Sequence, residues 1–131
     1  MTYSIVARDP ETGQYGVAVA SRFFAVGAVV PHIRGGKCAV ATQAFVNPLL
    51  GLEGAARMAQ GETAQVVLKD MINRDDGRLQ RQIHMIDSAG SSAAHTGADC
   101  IDWAGHLIGE GVSVAGNMLA GAQVIAETLK A

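Results

Sequence analysis

The first twenty residues carry an apolar, β-branched pattern that predicts two β-strands. The strands are YSIVAR at residues 3–8 and YGVAVAS at residues 15–21. Between them, DPETGQ places Pro10 and Gly13 in a segment with typical turn composition. Residues 3–21 are therefore predicted to form a β-hairpin.

A third strand is predicted at KCAVATQAF, residues 37–45. Its residues are almost all apolar or small, which is typical of a strand that is covered on both faces. The preceding segment, residues 22–36, contains Pro31 and a Gly-Gly pair, and it is predicted to be a loop.

Two helices are predicted after the third strand. Asn47 is placed to cap the first helix, Pro48 suits its first turn, and Gly61 is a natural stop. The second helix is predicted within residues 62–77, because its apolar residues recur at helical spacing on one face. These residues are Ala64, Val67, Leu68, Met71 and Ile72.

The last part of the chain returns to strands and then ends in a helix. Because strands and helices are segregated along the chain, their order predicts an α+β fold built from packed antiparallel sheets. A length of 131 residues predicts a single domain over residues 1–131. Strands are predicted at 78–87, 93–97 and 111–119, a loop at 98–111, and a helix from Ala120.

Composition narrows the classes of function. Net charge is −2 with no run of like charges, so neither nucleic acid nor a membrane is an expected partner. No apolar stretch reaches the roughly 20 residues of a membrane-spanning helix. No secretory signal precedes the first strand, which predicts a cytoplasmic protein. Cys38 and Cys100 lack CxxC spacing and are expected to be reduced, buried thiols.

Thr2 is the candidate catalytic residue. A small second residue usually allows the initiator methionine to be removed, which would leave a hydroxyl and a free α-amine on one residue. An α-amine has an ordinary pKa of about 7.7–8.0, so it can accept the hydroxyl proton near neutral pH without a histidine. Taken alone, however, a threonine at this position is more often a common second residue with no catalytic role.

Two blocks of sequence carry a family resemblance. TYSIVARDPETGQYGVAVASR, followed by KCAVATQAFVNPLLG, resembles the opening of an uncharacterised bacterial family described as Ntn-hydrolase-like. AAHTGADCIDWAGHLIGEGVSVAGNMLAG resembles the second signature of that family. The resemblance covers essentially the whole chain. It implies a four-layer αββα sandwich with antiparallel sheets, in which the nucleophile, Thr2, begins the first strand.

The opening strand–turn–strand unit also resembles, more distantly, a proteasome β-subunit. Proteasome-type sites carry an aspartate before the Ser-Arg pair that follows the second strand, whereas here Ala20 precedes Ser21 and Arg22. Such sites also carry a lysine near the start of the third strand, and Lys37 is the only lysine in that region. Ser21, Arg22 and Lys37 are accordingly candidate site-lining residues.

Gln43 and Asn117 are two further site candidates, each with a structural alternative. Gln43 lies in a strand of small residues, where it is either a buried, hydrogen-bonded amide or an oxyanion donor. The buried amide is the favoured interpretation. Asn117 either caps the final helix or donates into a site, and the sequence favours neither.

Several possible metal ligands cluster near residue 100, but their spacing matches no standard metal signature. Loops rich in Gly, Asp and Thr commonly use such residues for turns. Neither a metal nor a cofactor is therefore expected. The residues in question are His95, Asp99, Asp102 and His106.

The preferred function from sequence is an Ntn-type hydrolase that cleaves an amide or peptide-like C–N bond of a small molecule, with Thr2 as nucleophile. The alternative is a non-catalytic αββα module that binds a small molecule or self-assembles. The final helix has an unpaired apolar face at Val124, Ile125 and Leu129, and family members usually continue further. The chain is therefore expected to be either a C-terminally incomplete fragment or a homo-oligomer, with a dimer favoured.

Overall fold

The computed structural model describes residues 1–131 as eight β-strands and three α-helices. The strands form two four-stranded antiparallel sheets, so the predicted α+β class is confirmed. The strands are β1 Thr2–Arg8, β2 Tyr15–Ser21, β3 Pro31–Arg34, β4 Cys38–Ala44, β5 Arg81–Ile86, β6 Ser92–Thr96, β7 Gly105–Gly109 and β8 Val112–Asn117. The helices are α1 Pro48–Ala59, α2 Ala64–Arg74 and α3 Gln123–Lys130.

The two sheets pack face to face, and helices cover their outer faces. Sheet 1 has the strand order β2-β1-β8-β7, and sheet 2 has the order β3-β4-β5-β6. Helices α1 and α2 pack on sheet 2, whereas α3 packs on β7 and β8 of sheet 1. The molecule therefore has four layers. None of the three helices has both the length and the apolar character needed to cross a membrane.

The helices begin where their capping residues lie. The Asn47 side chain accepts a hydrogen bond from the Leu49 N–H, which confirms its predicted role as the cap of α1. The Thr63 side chain caps α2 in the same way, through the Val66 N–H. The apolar face of α2 packs against sheet 2, and Met71 at its centre is buried.

The side chains that fill the space between the two sheets are apolar in one part and polar in another. One end is apolar and contains Val6, Val30, Ala39, Ala41 and Ile86. The rest of the space is polar and contains Ser4, Gln43, Gln82, His84, Ser113 and Asn117, all of them buried. Alternation along a strand determines which residues enter this space. Strand β5 directs Ile83 and Met85 to the helices, and Gln82, His84 and Ile86 to the other sheet.

Two segments predicted as loops contain strands. Residues 22–36 include β3, and residues 98–111 include β7. Both strands lie at sheet edges, where pairing on one side and partial exposure leave no regular apolar pattern. A further correction concerns residues 78–87, where Arg78–Gln80 forms a 3₁₀ turn and the strand begins only afterwards.

Candidate functional site

A cavity of about 720 Å³ opens where the start of β1 meets the ends of β2, β4 and β8. This volume is typical of a small-molecule site. Four of the predicted site residues line it, namely Thr2, Ser21, Arg22 and Asn117.

Thr2 lines this cavity from a strand that is paired on both sides. Strand β1 is a central strand of sheet 1, and Thr2 pairs in register with Ser21 of β2 and Asn117 of β8. Because alternate side chains share a face, Thr2 lies on the same face as the buried Ser4, towards sheet 2. The Thr2 side chain is half-buried, so its hydroxyl remains accessible from the cavity.

The Thr2 hydroxyl has one side-chain partner. Thr2 Oγ1 lies 2.8 Å from Ser21 Oγ. Ser21 Oγ also donates to the Met1 carbonyl oxygen at 3.0 Å and accepts from the Phe23 N–H at 3.0 Å. Because a serine hydroxyl has a single proton, the Thr2 hydroxyl is the donor in the Thr2–Ser21 bond while Met1 is present. Loss of Met1 frees the Ser21 proton to point at Thr2.

A buried amide below the cavity has a fixed orientation. Gln82 Nε2 donates to the carbonyl oxygens of Gly116 at 2.8 Å and Gly105 at 3.1 Å, and it lies 3.0 Å from Thr96 Oγ1. Carbonyl oxygens only accept, so the nitrogen of Gln82 faces them and its oxygen faces the opposite way.

That orientation determines how Asn117 is held. Gln82 Oε1 accepts from Asn117 Nδ2 at 3.1 Å and from Gln43 Nε2 at 2.9 Å. Asn117 therefore presents its nitrogen to the buried network, while its amide oxygen has no partner within the protein. Asn117 also does not cap α3, whose N-cap is Ala122.

A histidine extends the network deeper between the sheets. His84 Nε2 lies 2.8 Å from Ser4 Oγ, and His84 Nδ1 lies 2.9 Å from Ser113 Oγ. Complete burial lowers the pKa of His84 to about 3, and repulsion from His106 acts in the same direction. Ser4 donates its proton to Gln43 Oε1, so Nε2–H of the neutral imidazole donates to Ser4. This histidine is structural, since it has no access to the cavity.

The other two predicted site residues lie outside the cavity lining. Gln43 is a fully buried amide that hydrogen-bonds Ser4, Gln82 and the Ala115 carbonyl, in agreement with the favoured interpretation. Lys37 is exposed in the turn that precedes β4, whereas the cavity lies at the other end of that strand. A seven-residue strand spans about 20 Å, so the Lys37 amine is remote from Thr2.

A largely buried ion pair, which was not predicted from the sequence, lies behind one wall of the cavity. The Arg81 guanidinium binds the Asp75 carboxylate through Nε at 2.8 Å, donates to the Phe45 carbonyl, and stacks over the Phe45 ring. This interaction lowers the pKa of Asp75. Ala44 adopts a left-handed φ of 69°, which turns the chain out of β4 and places Phe45 at the cavity rim. No local motif marks this arrangement.

Cys100 also lines the cavity but is a poor nucleophile. Its Sγ donates to the Arg81 carbonyl at 3.3 Å, and burial raises the pKa of the thiol. A protonated thiol does not attack a carbonyl efficiently. Both cysteines are buried and unpaired, as predicted. No group of three or more His, Cys, Asp or Glu side chains comes together in a way that could hold a metal ion.

Fold and cavity together define a two-sheet α+β sandwich with a small-molecule-sized cavity at the strand ends. The chain belongs to DUF1028, a family of unknown function, whose family model matches residues 2–131. It is similar to a DUF1028 protein from Silicibacter pomeroyi in its crystal structure, at 30% identity over 99% of this chain with a TM-score of 0.94. The chain spans 58% of the length of that protein. No curated protein matches it.

Proposed function

We propose that this protein is an N-terminal-nucleophile hydrolase that cleaves an amide C–N bond of a small molecule. The observation that carries the proposal is the position of Thr2, whose hydroxyl lies in the cavity at the first residue of a central strand. A four-layer order of helices and antiparallel sheets supports the Ntn classification. The activity requires removal of Met1, because only then does Thr2 carry a free α-amine.

The proposed reaction uses one residue as both nucleophile and base. The Thr2 α-amine takes the hydroxyl proton as Oγ1 attacks the carbonyl carbon and forms a tetrahedral intermediate. The intermediate collapses with cleavage of the C–N bond, and the ammonium returns the proton to the departing nitrogen. Water, deprotonated by the same amine, then attacks the acyl-threonine ester. The bond to Oγ1 breaks, the ammonium returns its proton to Oγ1, and the carboxylic acid product leaves.

Ser21 and Asn117 have supporting roles in this proposal. With Met1 absent, the Ser21 hydroxyl donates to Thr2 Oγ1 across the 2.8 Å contact and stabilises negative charge that develops there. Asn117 lies opposite Thr2 in the strand register, and its unpartnered amide oxygen suits an acceptor for the protonated α-amine. Because Gln82 anchors the Asn117 nitrogen, this acceptor is held in place before substrate binds.

A second candidate function is a non-catalytic module that binds a small molecule in the same cavity. The observation that favours it is the environment of Thr2 Oγ1, whose only side-chain hydrogen bond is to Ser21. No lysine lines the cavity, so no lysine ammonium lies beside Thr2 to lower the pKa of the hydroxyl or of the amine. Under this alternative, the cavity binds its ligand and releases it unchanged.

Covalent capture with a β-lactone separates the two candidates. Attack by a hydroxyl oxygen opens the four-membered ring, and the ring oxygen takes up the proton, so the chain gains the whole mass of the lactone. The proposal predicts one adduct on the peptide that begins with Thr2. Thr2→Ser should retain the adduct, and Thr2→Ala, which keeps the α-amine, should lose it. Equal labelling of the wild type and Thr2→Ala, or no adduct on a chain that lacks Met1, contradicts catalysis by Thr2.

A further inference from the structure

All three phenylalanines of the chain are exposed, and two of them line the cavity. Phe23 and Phe45 are 59% and 64% exposed at its rim, whereas Phe24, 93% exposed, does not line it. Burying a phenylalanine side chain is worth about 1.5–3 kcal/mol, so leaving such residues exposed has a cost in folding free energy. Exposed apolar residues grouped around a cavity are typical of a ligand-binding surface.

The rest of the rim extends this apolar surface. Ile101 and Met118 are also exposed and line the cavity, and they come from segments distant in sequence from the two phenylalanines. Methionine is flexible and polarisable, so it adapts to apolar groups of different shapes. Removal of Met1, which the proposed function requires, enlarges the space beside Met118, because the Met1 amine contacts Met118 Sδ at 3.4 Å.

Charge does not select the ligand at this site. Arg22 and Asp99 are the two charged residues that line the cavity, and neither forms an ion pair. The formal charges of these two side chains cancel, so the side chains favour neither an anionic nor a cationic substrate. Side-chain charge therefore gives little discrimination between ligands, and the apolar rim is the surface that can provide it.

Phe23 is the aromatic residue nearest the reacting oxygen along the hydrogen-bonded path. Its backbone N–H donates to Ser21 Oγ at 3.0 Å, and that oxygen lies 2.8 Å from Thr2 Oγ1. A carbonyl carbon positioned for attack lies about 3–3.5 Å from the nucleophilic oxygen. Phe23 and Thr2 line the same cavity, so a group attached directly to that carbon lies within the space that Phe23 borders.

We propose that the substrate is an amide whose carbonyl carries an apolar group, of the size of a phenyl ring or a branched alkyl chain, on its acyl side. The proposal rests on the hydrolase function proposed above and names the substrate class of that same site. The apolar group packs against Phe23 and Phe45, and the amine part is released.

Two β-lactones that differ only in their side chain test this assignment. One carries a benzyl group and the other a carboxymethyl group, and the rate of adduct formation on Thr2 is measured for each by mass spectrometry. The benzyl lactone should react at least about tenfold faster, which corresponds to about 1.4 kcal/mol. Phe23→Ala should reduce that preference several-fold. Phe24→Ala, a neighbouring phenylalanine outside the cavity lining, is the matched control and should leave both rates unchanged.

Each outcome decides the assignment. Equal rates for the two lactones on the wild type, or equal effects of Phe23→Ala and Phe24→Ala, overturn the apolar substrate class while the labelled Thr2 still supports hydrolase function. Absence of any adduct on Thr2 with either lactone overturns both proposals. Phe23 is exposed, so Phe23→Ala is expected to fold normally, and its thermal unfolding midpoint checks this directly.

Discussion

Ser4 Oγ lies 2.8 Å from His84 Nε2 in the space between the two sheets, and each residue is 1% exposed or less. The pair has the composition of a nucleophile and its general base, but no substrate can reach it. Thr2 lies two residues earlier on the same face of β1, where the space between the sheets opens into the cavity. Position along one strand therefore separates a structural hydroxyl from the candidate nucleophile.

Alanine substitutions at these two hydroxyls should have opposite consequences. Thr2→Ala should change the free energy of unfolding by less than about 0.5 kcal/mol, because the side chain is half-buried at the end of a strand. Ser4→Ala should lower it by about 2 kcal/mol or more, because Gln43 Oε1 and His84 Nε2 both lose a buried partner. Urea denaturation of the two variants checks the contrast. Similar losses would show that the buried network contributes little to stability.

The imidazole of His84 should remain neutral in the folded protein throughout the pH range around 7. Its pKa is lowered to about 3 in the folded chain, against an ordinary value of 6.5, chiefly because burial disfavours the charged form. NMR titration of the histidine side chains, with His84 assigned through His84→Gln, measures this directly. A His84 resonance that titrates near pH 6.5 would contradict the buried neutral assignment.

The same shift predicts how stability depends on pH. Below about pH 6.5 the unfolded chain binds a proton at His84 that the folded chain does not, so the free energy of unfolding should fall as the pH falls. The slope for one such group is about 1.4 kcal/mol per pH unit between the two pKa values. Burial also lowers the pKa of His32 and His106, which adds to the slope in the same direction. Stability that is flat from pH 7 to pH 5 would be inconsistent with this account.

The sequence predicted the central elements of the fold well. The hairpin of β1 and β2, the buried β4, and the Asn47 cap all follow from local composition. The edge strands β3 and β7 were not predicted, because pairing on one side leaves them short and partly exposed. Their existence depends on neighbours that are distant in the sequence.

Some residues of the candidate site were likewise predicted from the sequence, and others were not. Thr2 and Ser21 were predicted because strand-end positions are visible in the hydrophobic pattern and the resemblance. Gln82, which anchors Asn117, was missed because nothing near it in the sequence marks a partner 35 residues away. Lys37 was a candidate through its position near a strand start, and only the direction of β4 shows which end of the strand meets the cavity.

Gln82 should be among the most costly polar residues to replace. Gln82→Met keeps approximate volume but removes one buried hydrogen-bond partner from each of the Asn117 and Gln43 amides and from two backbone carbonyls. The free energy of unfolding should fall by about 3 kcal/mol or more. Gln14→Met, at an exposed turn position, is the control and should be close to neutral. Chemical denaturation compares the two, and equal stabilities would refute the network as described.

Removing one partner of the ion pair behind Phe45 should be strongly destabilising. Asp75→Ala leaves the Arg81 guanidinium uncompensated at a site where both side chains are only 10% exposed, so a loss of about 3–5 kcal/mol is expected. Glu127→Ala breaks the Lys130–Glu127 pair, whose side chains are 71% and 70% exposed, and should cost at most about 0.5 kcal/mol. Thermal or urea unfolding of both variants measures the difference, and comparable losses would contradict it.

The central claim is that Thr2 acts through its own free α-amine, and one measurement tests this most directly. The chain is prepared with a short extension before Thr2 that a site-specific protease removes, and the benzyl β-lactone is added before or after cleavage. The account predicts no adduct on Thr2 while the extension remains and a single adduct on Thr2 once it is removed, as read by mass spectrometry of the N-terminal peptide. Equal labelling of Thr2 before and after cleavage, or none after cleavage, would contradict it.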